Sequence, residues 1–186
     1  MNLPHKVGIG ILTVWFVLCS VLIVQYGLVN KTEFDPKMAL SSAIMDASFE
    51  SELYAQLSTN SSATNKEGKV FHIVQGECYC EWLAEPHQKK LDIWAGEHAF
   101  TTHYLNVDAL DSATVSKYLP STPAVVAFDA SNKLIYMGPY SRGSGCFGKT
   151  GEIDTQLERW LNLPKSNQDF INPVIDTDAR GCYCAT

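Results

Sequence analysis

The sequence predicts an α/β protein: one mixed β-sheet flanked by helices, preceded by a single transmembrane helix. Three observations predict it. Val7 to Leu28 run for 22 residues without a charge, and roughly 20 apolar residues cross a bilayer. Between Lys69 and Asn162, short β-branched and aromatic runs alternate with stretches of helical periodicity, the order of a layered α/β fold. Within them AVVAFD (Ala124 to Asp129) is apolar until its last residue, as in a strand covered on both faces.

Taken in order, 7–28 is a membrane anchor. A cleaved signal peptide has a shorter apolar core, about 7–15 residues, followed by small residues. Cys19 within it reads as a small apolar helix residue. Lys6 on one flank balances Lys31 and Lys37 on the other, so the positive-inside count does not decide orientation. A six-residue leader before a long C-terminal domain is the arrangement of a signal anchor. The expectation is therefore a single-pass cell-membrane protein with its C-terminal domain in the periplasm, an oxidising compartment where cysteine pairs persist. Residues 35–68 form a membrane-proximal helix and linker. Asp35 caps the helix, Pro36 suits its first turn, and Leu40, Ile44, Phe49, Leu53 and Leu57 make its apolar stripe. Ser58 to Lys69 is small and polar, a loop. Asn30-Lys31-Thr32 and Asn60-Ser61-Ser62 fit the glycosylation pattern, which matters only in a eukaryotic secretory setting.

The α/β domain occupies 69–162. Strands are expected at Lys69–Gln75, Phe100–Asp108, Ala124–Asp129 and Lys133–Gly138. Helices are expected at Cys80–Trp94, Ser112–Tyr118 behind an Asp111 cap, and Glu152–Leu161. Residues 163–186 are a tail with two prolines and little periodicity. A net charge of −6 and a pI near 5.3 argue against a nucleic-acid partner, which needs a basic surface. GSGCFGKT (Gly143 to Thr150) formally satisfies the P-loop pattern, but only 36 residues follow it. They have no room for the strands that supply a Mg²⁺-binding aspartate. No nucleotide and no cofactor are expected.

Four of the six cysteines fall in two copies of one tripeptide, Cys78-Tyr79-Cys80 and Cys182-Tyr183-Cys184. A bridge between i and i+2 is strained, and strained bridges are the labile ones. The alternative chemistry is a pair of soft thiolate ligands for Cu(I) or Zn, with His87 or His103 completing the set. The first copy sits where a strand passes into a helix. The helix N-terminus offers unpaired N–H groups and the positive end of the dipole, which favour thiolate at Cys78. Thiolate is the attacking form in disulfide exchange, so Cys78 reads as nucleophile and Cys80 as the thiol that releases the partner. The second copy reads as a mobile thiol pair serving Cys78 as relay or substrate, or as a structural disulfide tying down the tail. If the tail docks near Cys78, four thiols gather in one place, which favours metal as well.

The element order, with cysteines at the first strand-to-helix junction and Thr122-Pro123 entering an apolar strand, resembles the thioredoxin fold over roughly half the chain. The resemblance implies a thioredoxin-like mixed sheet and a cis-proline at Pro123 facing the cysteines. It further implies a substrate-binding role for Thr122 and Pro123, and partners that are protein thiols or disulfides. Pro86, eight residues after Cys78, places Cys78 at the family's nucleophilic position, while Cys80 falls one residue short of the usual resolving cysteine. His72 corresponds to the buried acid and would accept a proton from Cys80. Cys146, in the loop after the last hairpin, would be a third thiol within reach of Cys78. The chain resembles bacterial membrane-anchored thioredoxin-like proteins with Cys-x-Cys in place of Cys-x-x-Cys more than it resembles thioredoxin itself. A thiol–disulfide oxidoreductase, a metal carrier and a non-catalytic interaction domain all remain open.

Overall fold

The computed structural model describes residues 5–24, 32–59, 67–143, 151–164, 168 and 172–186. It divides into two compact units, residues 1–31 and 32–186. The first holds helix α1 (His5–Val24), long and apolar enough over Val7–Val24 to cross a membrane. The expected continuation to Leu28 lies outside the described residues, as do the glycosylation sequons' asparagines, Asn30 and Asn60.

The second unit runs β1 (Thr32–Glu33), α2 (Ala39–Ala43), α3 (Phe49–Ser58), β2 (Gly68–Val74), α4 (Tyr79–Glu97) and β3 (Phe100–Asn106). After a 3-10 turn at Val107–Ala109 come α5 (Ser112–Tyr118), β4 (Ser121–Thr122), β5 (Ala124–Phe128), β6 (Leu134–Gly138) and α6 (Glu152–Leu161). The tail adds β7 (Val174–Ile175), β8 (Arg180–Gly181) and β9 (Cys184–Ala185). The main sheet has the order β3-β2-β5-β6-β7. Its β2 lies parallel to β3 and antiparallel to β5, and β6 is antiparallel to β5 and parallel to β7. This is a mixed α/β sheet.

Both faces of the sheet are covered, which is why its central strands are apolar throughout. Alternate side chains go to opposite faces of a strand. On β5, Ala124, Val126 and Phe128 join one core with Leu53 and Leu57 of α3. Val125 and Ala127 join the other with Leu91 of α4 and Leu157 of α6. Asp111 caps α5 as expected, its carboxylate accepting from the N–H groups of Ala113 and Thr114, both at 3.1 Å.

The membrane-proximal helix departs from expectation, because it is two helices. Neither Asp35 nor Pro36 stands where expected, since the first helix starts at Ala39 with Met38 as its N-cap, but the Asp35 carboxylate still reaches its start, accepting from Ala39 N at 2.8 Å and Ser41 N at 2.7 Å. The break falls at Met45-Asp46-Ala47-Ser48, which carries start signals of its own: Asp46 accepts from Ser48 N at 3.0 Å, and Ser48 Oγ donates to Glu52 at 2.6 Å. Short polar side chains there offer the backbone an alternative to helix. The tail departs further. It was expected to be irregular, but it supplies an edge strand to the main sheet and pairs with β1 and β4. Asp176, almost fully buried, accepts two hydrogen bonds from Arg142, at 2.7 and 2.8 Å.

Candidate functional site

The site lies where β2 hands the chain to α4. After Val74, Gln75 O accepts from Cys78 N at 3.2 Å, and Cys78 takes the N-cap of α4 in an extended conformation. Cys80 lies within the first turn. It belongs to the helix's inward stripe with Ala84, His87, Gln88, Leu91 and Ala95, so both cysteines are buried, at 6% and 7% exposure. From the other side comes β4. Thr122 Oγ1 donates to Gln75 Oε1 at 3.0 Å, Thr122 O lies 3.9 Å from Cys78 Sγ, and the Thr122–Pro123 peptide is cis.

The third wall is the tail. β9 pairs antiparallel with β4, setting Ala185 opposite Ser121 and Cys184 opposite Thr122. Two disulfides close the joint, Cys78–Cys184 and Cys80–Cys182. The expected Cys78–Cys80 bridge is therefore replaced by nested bridges between the two tripeptides. The physical reason lies in the one-residue spacing. In an extended chain the residues flanking a tyrosine project to one face and the tyrosine to the other, so Cys182 and Cys184 meet Cys78 and Cys80 as two parallel rungs. Tyr183 points the opposite way. It is buried, donates from Oη to Ser141 O at 2.8 Å, and sets its ring edge-on to Phe34 at 5.3 Å. Gly181 leaves room for it, since a Cβ there would fall 2.7 Å from Tyr183 Oη.

The sulfur atoms of Cys78, Cys80 and Cys184 lie within 4.8 Å of one another, and no histidine belongs to that group among the described residues. His87 and His103, offered as ligands, are elsewhere. His87 is buried on α4 beside Gly151, and His103 stacks on Phe71 at 5.3 Å. Cys146, with nearly all of the GSGCFGKT loop, lies outside the described residues.

His72 is fully buried on β2, and its partners are not the cysteines. Nδ1 lies 2.5 Å from Tyr140 Oη, and Nε2 lies 3.3 Å from Asp92 Oδ1. Burial pushes its pKa down to about 4, against the opposing pull of Asp92, so it is neutral at neutral pH. The acid adjacent to the cysteines is Glu81, in the first turn of α4. Burial raises its pKa, and a hydrogen bond donated by Gln88 opposes the rise. On the outer face of that turn, Tyr79 and Trp82 are 70% and 66% exposed, with ring centroids 6.0 Å apart. Sequence reasoning missed Gln75, Glu81, Ser141 and Tyr183. An acid one residue after Cys80 was visible in the sequence; the others depend on contacts across the fold.

These features define a class: a mixed α/β domain in which a strand-to-helix junction and the C-terminal tail bring four cysteines together in two cross-linked pairs, with redox or metal-binding potential. Residues 46–186 match the family model described as Domain of unknown function (DUF6436), and the chain belongs to that family. The match takes in both tripeptides and stops short of α1. No match was found among curated proteins.

Proposed function

We propose that the protein is a membrane-anchored thiol–disulfide oxidoreductase, thioredoxin-like in arrangement, acting on protein cysteines in the periplasm. The observation that carries this is the setting of Cys78. It caps a helix, borders the backbone of Thr122, and is bonded to a cysteine on a strand paired with that same backbone. This is the geometry of a mixed disulfide between a reactive cysteine and an extended polypeptide. The helix N-terminus favours thiolate at Cys78, which makes it both attacking group and good leaving group. In the reductive direction Cys78 thiolate attacks a partner disulfide, joins one partner sulfur and expels the other as thiolate. A second thiol, Cys80 or Cys184, then attacks Cys78 and releases the reduced partner, so two electrons and two protons pass per turn. α1 anchors the domain, and bridged cysteines accord with an oxidising compartment.

The test uses the full-length chain in detergent micelles, with a disulfide-linked peptide as substrate and a small dithiol as reductant. Exchange is expected in the parent, lost in Cys78→Ser and unchanged in Cys19→Ser. Turnover surviving in Cys78→Ser would overturn the reading.

The three clustered sulfurs favour one second reading, a Cu(I) or Zn carrier in the reduced state. Stoichiometric metal bound by the reduced chain, lost in Cys80→Ser, together with no exchange activity, would select it.

A further inference from the structure

We propose that Cys182–Thr186 is a tethered pseudo-substrate: it occupies the strand edge where the partner binds, and reduction of both bridges lets it leave. This rests on the exchange reading above and adds a built-in cap to it.

Four observations carry it. β4 belongs to a two-stranded sheet whose other member is β9, so the tail's own end satisfies the edge a partner strand would use. The register places a cysteine opposite Thr122, the residue whose carbonyl lies against Cys78 Sγ. Besides the bridges, the last residues are held by local contacts: the β4–β9 pairing, Tyr183 in its pocket with Thr32 Oγ1 donating to its carbonyl at 3.1 Å, and Thr186 reaching Pro120 O and Leu119 O. Upstream, by contrast, the tail is fastened independently. The Arg142–Asp176 pair, the β6–β7 pairing and the Phe34 N to Ala179 O hydrogen bond at 2.8 Å hold it there. The end can therefore swing away while its root stays put.

Opening balances as follows. A thiolate of a partner dithiol attacks Cys184, the more exposed side of its bridge. The Cys78–Cys184 bond breaks, and Cys78 leaves as thiolate at the helix N-terminus. The dithiol's second sulfur then displaces Cys184, which takes a proton. The Cys80–Cys182 bridge opens in the same way, and each bridge consumes two electrons and two protons. The freed tail stays at the high effective concentration of a short tether, so a partner must outcompete it. The tail also specifies its competitor: an extended segment with cysteine preceded by an aromatic residue, to fill the place of Tyr183 beside Phe34 and Ser141.

The probe is the peptide Arg-Gly-Ser-Tyr-Cys-Ala-Thr activated as a mixed disulfide with an aromatic thiol. Its rate of joining Cys78 is measured on two micelle-held variants that both keep the membrane helix. In Cys182→Ser/Cys184→Ser the tail remains without its bridges; in the other the chain stops after Gly181. The capped variant is expected to react about tenfold more slowly than the truncated one, the slowing of an intramolecular competitor whose millimolar effective concentration exceeds its dissociation constant about tenfold. Replacing the peptide's tyrosine by alanine should remove most of the advantage. Equal rates in both variants overturn the cap and leave the exchange reading standing, whereas no reaction in either overturns both. Hydrogen exchange on the native chain covers the chance that truncation misfolds. Reduction should strip protection from 182–186 while β5 keeps its own, and a tail equally protected in both states also overturns the cap.

Discussion

The same tripeptide occurs twice and folds in opposite ways. In Cys78-Tyr79-Cys80 the cysteines are buried and the tyrosine is 70% exposed; in Cys182-Tyr183-Cys184 the cysteines are half-buried and the tyrosine is 7% exposed. The first copy is rigid because a sheet strand and a 19-residue helix hold it. The second borrows its order from what it touches: β4, Phe34, Ser141 and the first copy itself. Identical residues thus become a scaffolded reactive pair in one place and its docked counterpart in the other.

The largest test of that difference removes the bridges. They close loops of almost the same length, with sequence separations of 106 and 102. A loop of that size contributes about 4.7 kcal/mol by the chain-entropy model, and the second bridge then closes only the small ring of the two tripeptides, worth roughly 2 kcal/mol by the same formula. Cys80→Ser/Cys182→Ser should therefore cost ~2 kcal/mol in denaturant unfolding of the oxidised protein, and removing all four cysteines roughly 5–7 kcal/mol. Equal costs would mean that the rungs are not nested.

Next in size are the tyrosines. Tyr183→Ala empties a core position and removes the hydrogen bond to Ser141 O, at about 3–5 kcal/mol by analogy with buried phenylalanine. Tyr79→Ala should stay within about 0.5 kcal/mol, as a surface change does. Comparable losses from both would erase the contrast.

A smaller effect separates the copies by pH, because His72 lies on the strand that leads to the first copy and not to the second. Its folded pKa is depressed to about 4, below an unfolded value near 6.5, so the native state binds fewer protons. Stability is then full above pH 6.5 and falls between pH 6.5 and 4, by up to about 1.4 kcal/mol per pH unit. His72→Gln should flatten that slope in urea midpoints measured across the window. Asp111→Ala, remote from both copies, should cost about 1 kcal/mol as a lost N-cap and leave exchange unchanged.

Much of this was legible in the sequence wherever the signal was local. The four main strands show in their β-branched runs, α5 in its Asp111 cap, and α6 in residues 152–161, which the structure reproduces to the residue. Cys78 at a helix start was legible for the same reason. The break at 45–48 was hidden because the apolar stripe continues through it while Asp46 and Ser48 restart the helix. The tail's strands were illegible because each is two residues long and takes its order from far away: Gly181 pairs with Thr32 and Cys184 with Thr122. The bridging pattern was illegible too, since spacing alone allows a cysteine to pair within its tripeptide or across to the other.

The most direct measurement is a disulfide map of the native protein, purified with thiols blocked. It is digested in acid with a protease that cleaves after tyrosine, so that Tyr79 and Tyr183 part the cysteines of each copy. The account predicts one linked product joining the peptide that ends at Tyr79 to the one that begins at Cys184. A second should join the peptide that begins at Cys80 to the one that ends at Tyr183. Cys78 linked to Cys80, or to Cys182, would contradict the four-sulfur centre on which the proposed exchange and its cap both stand.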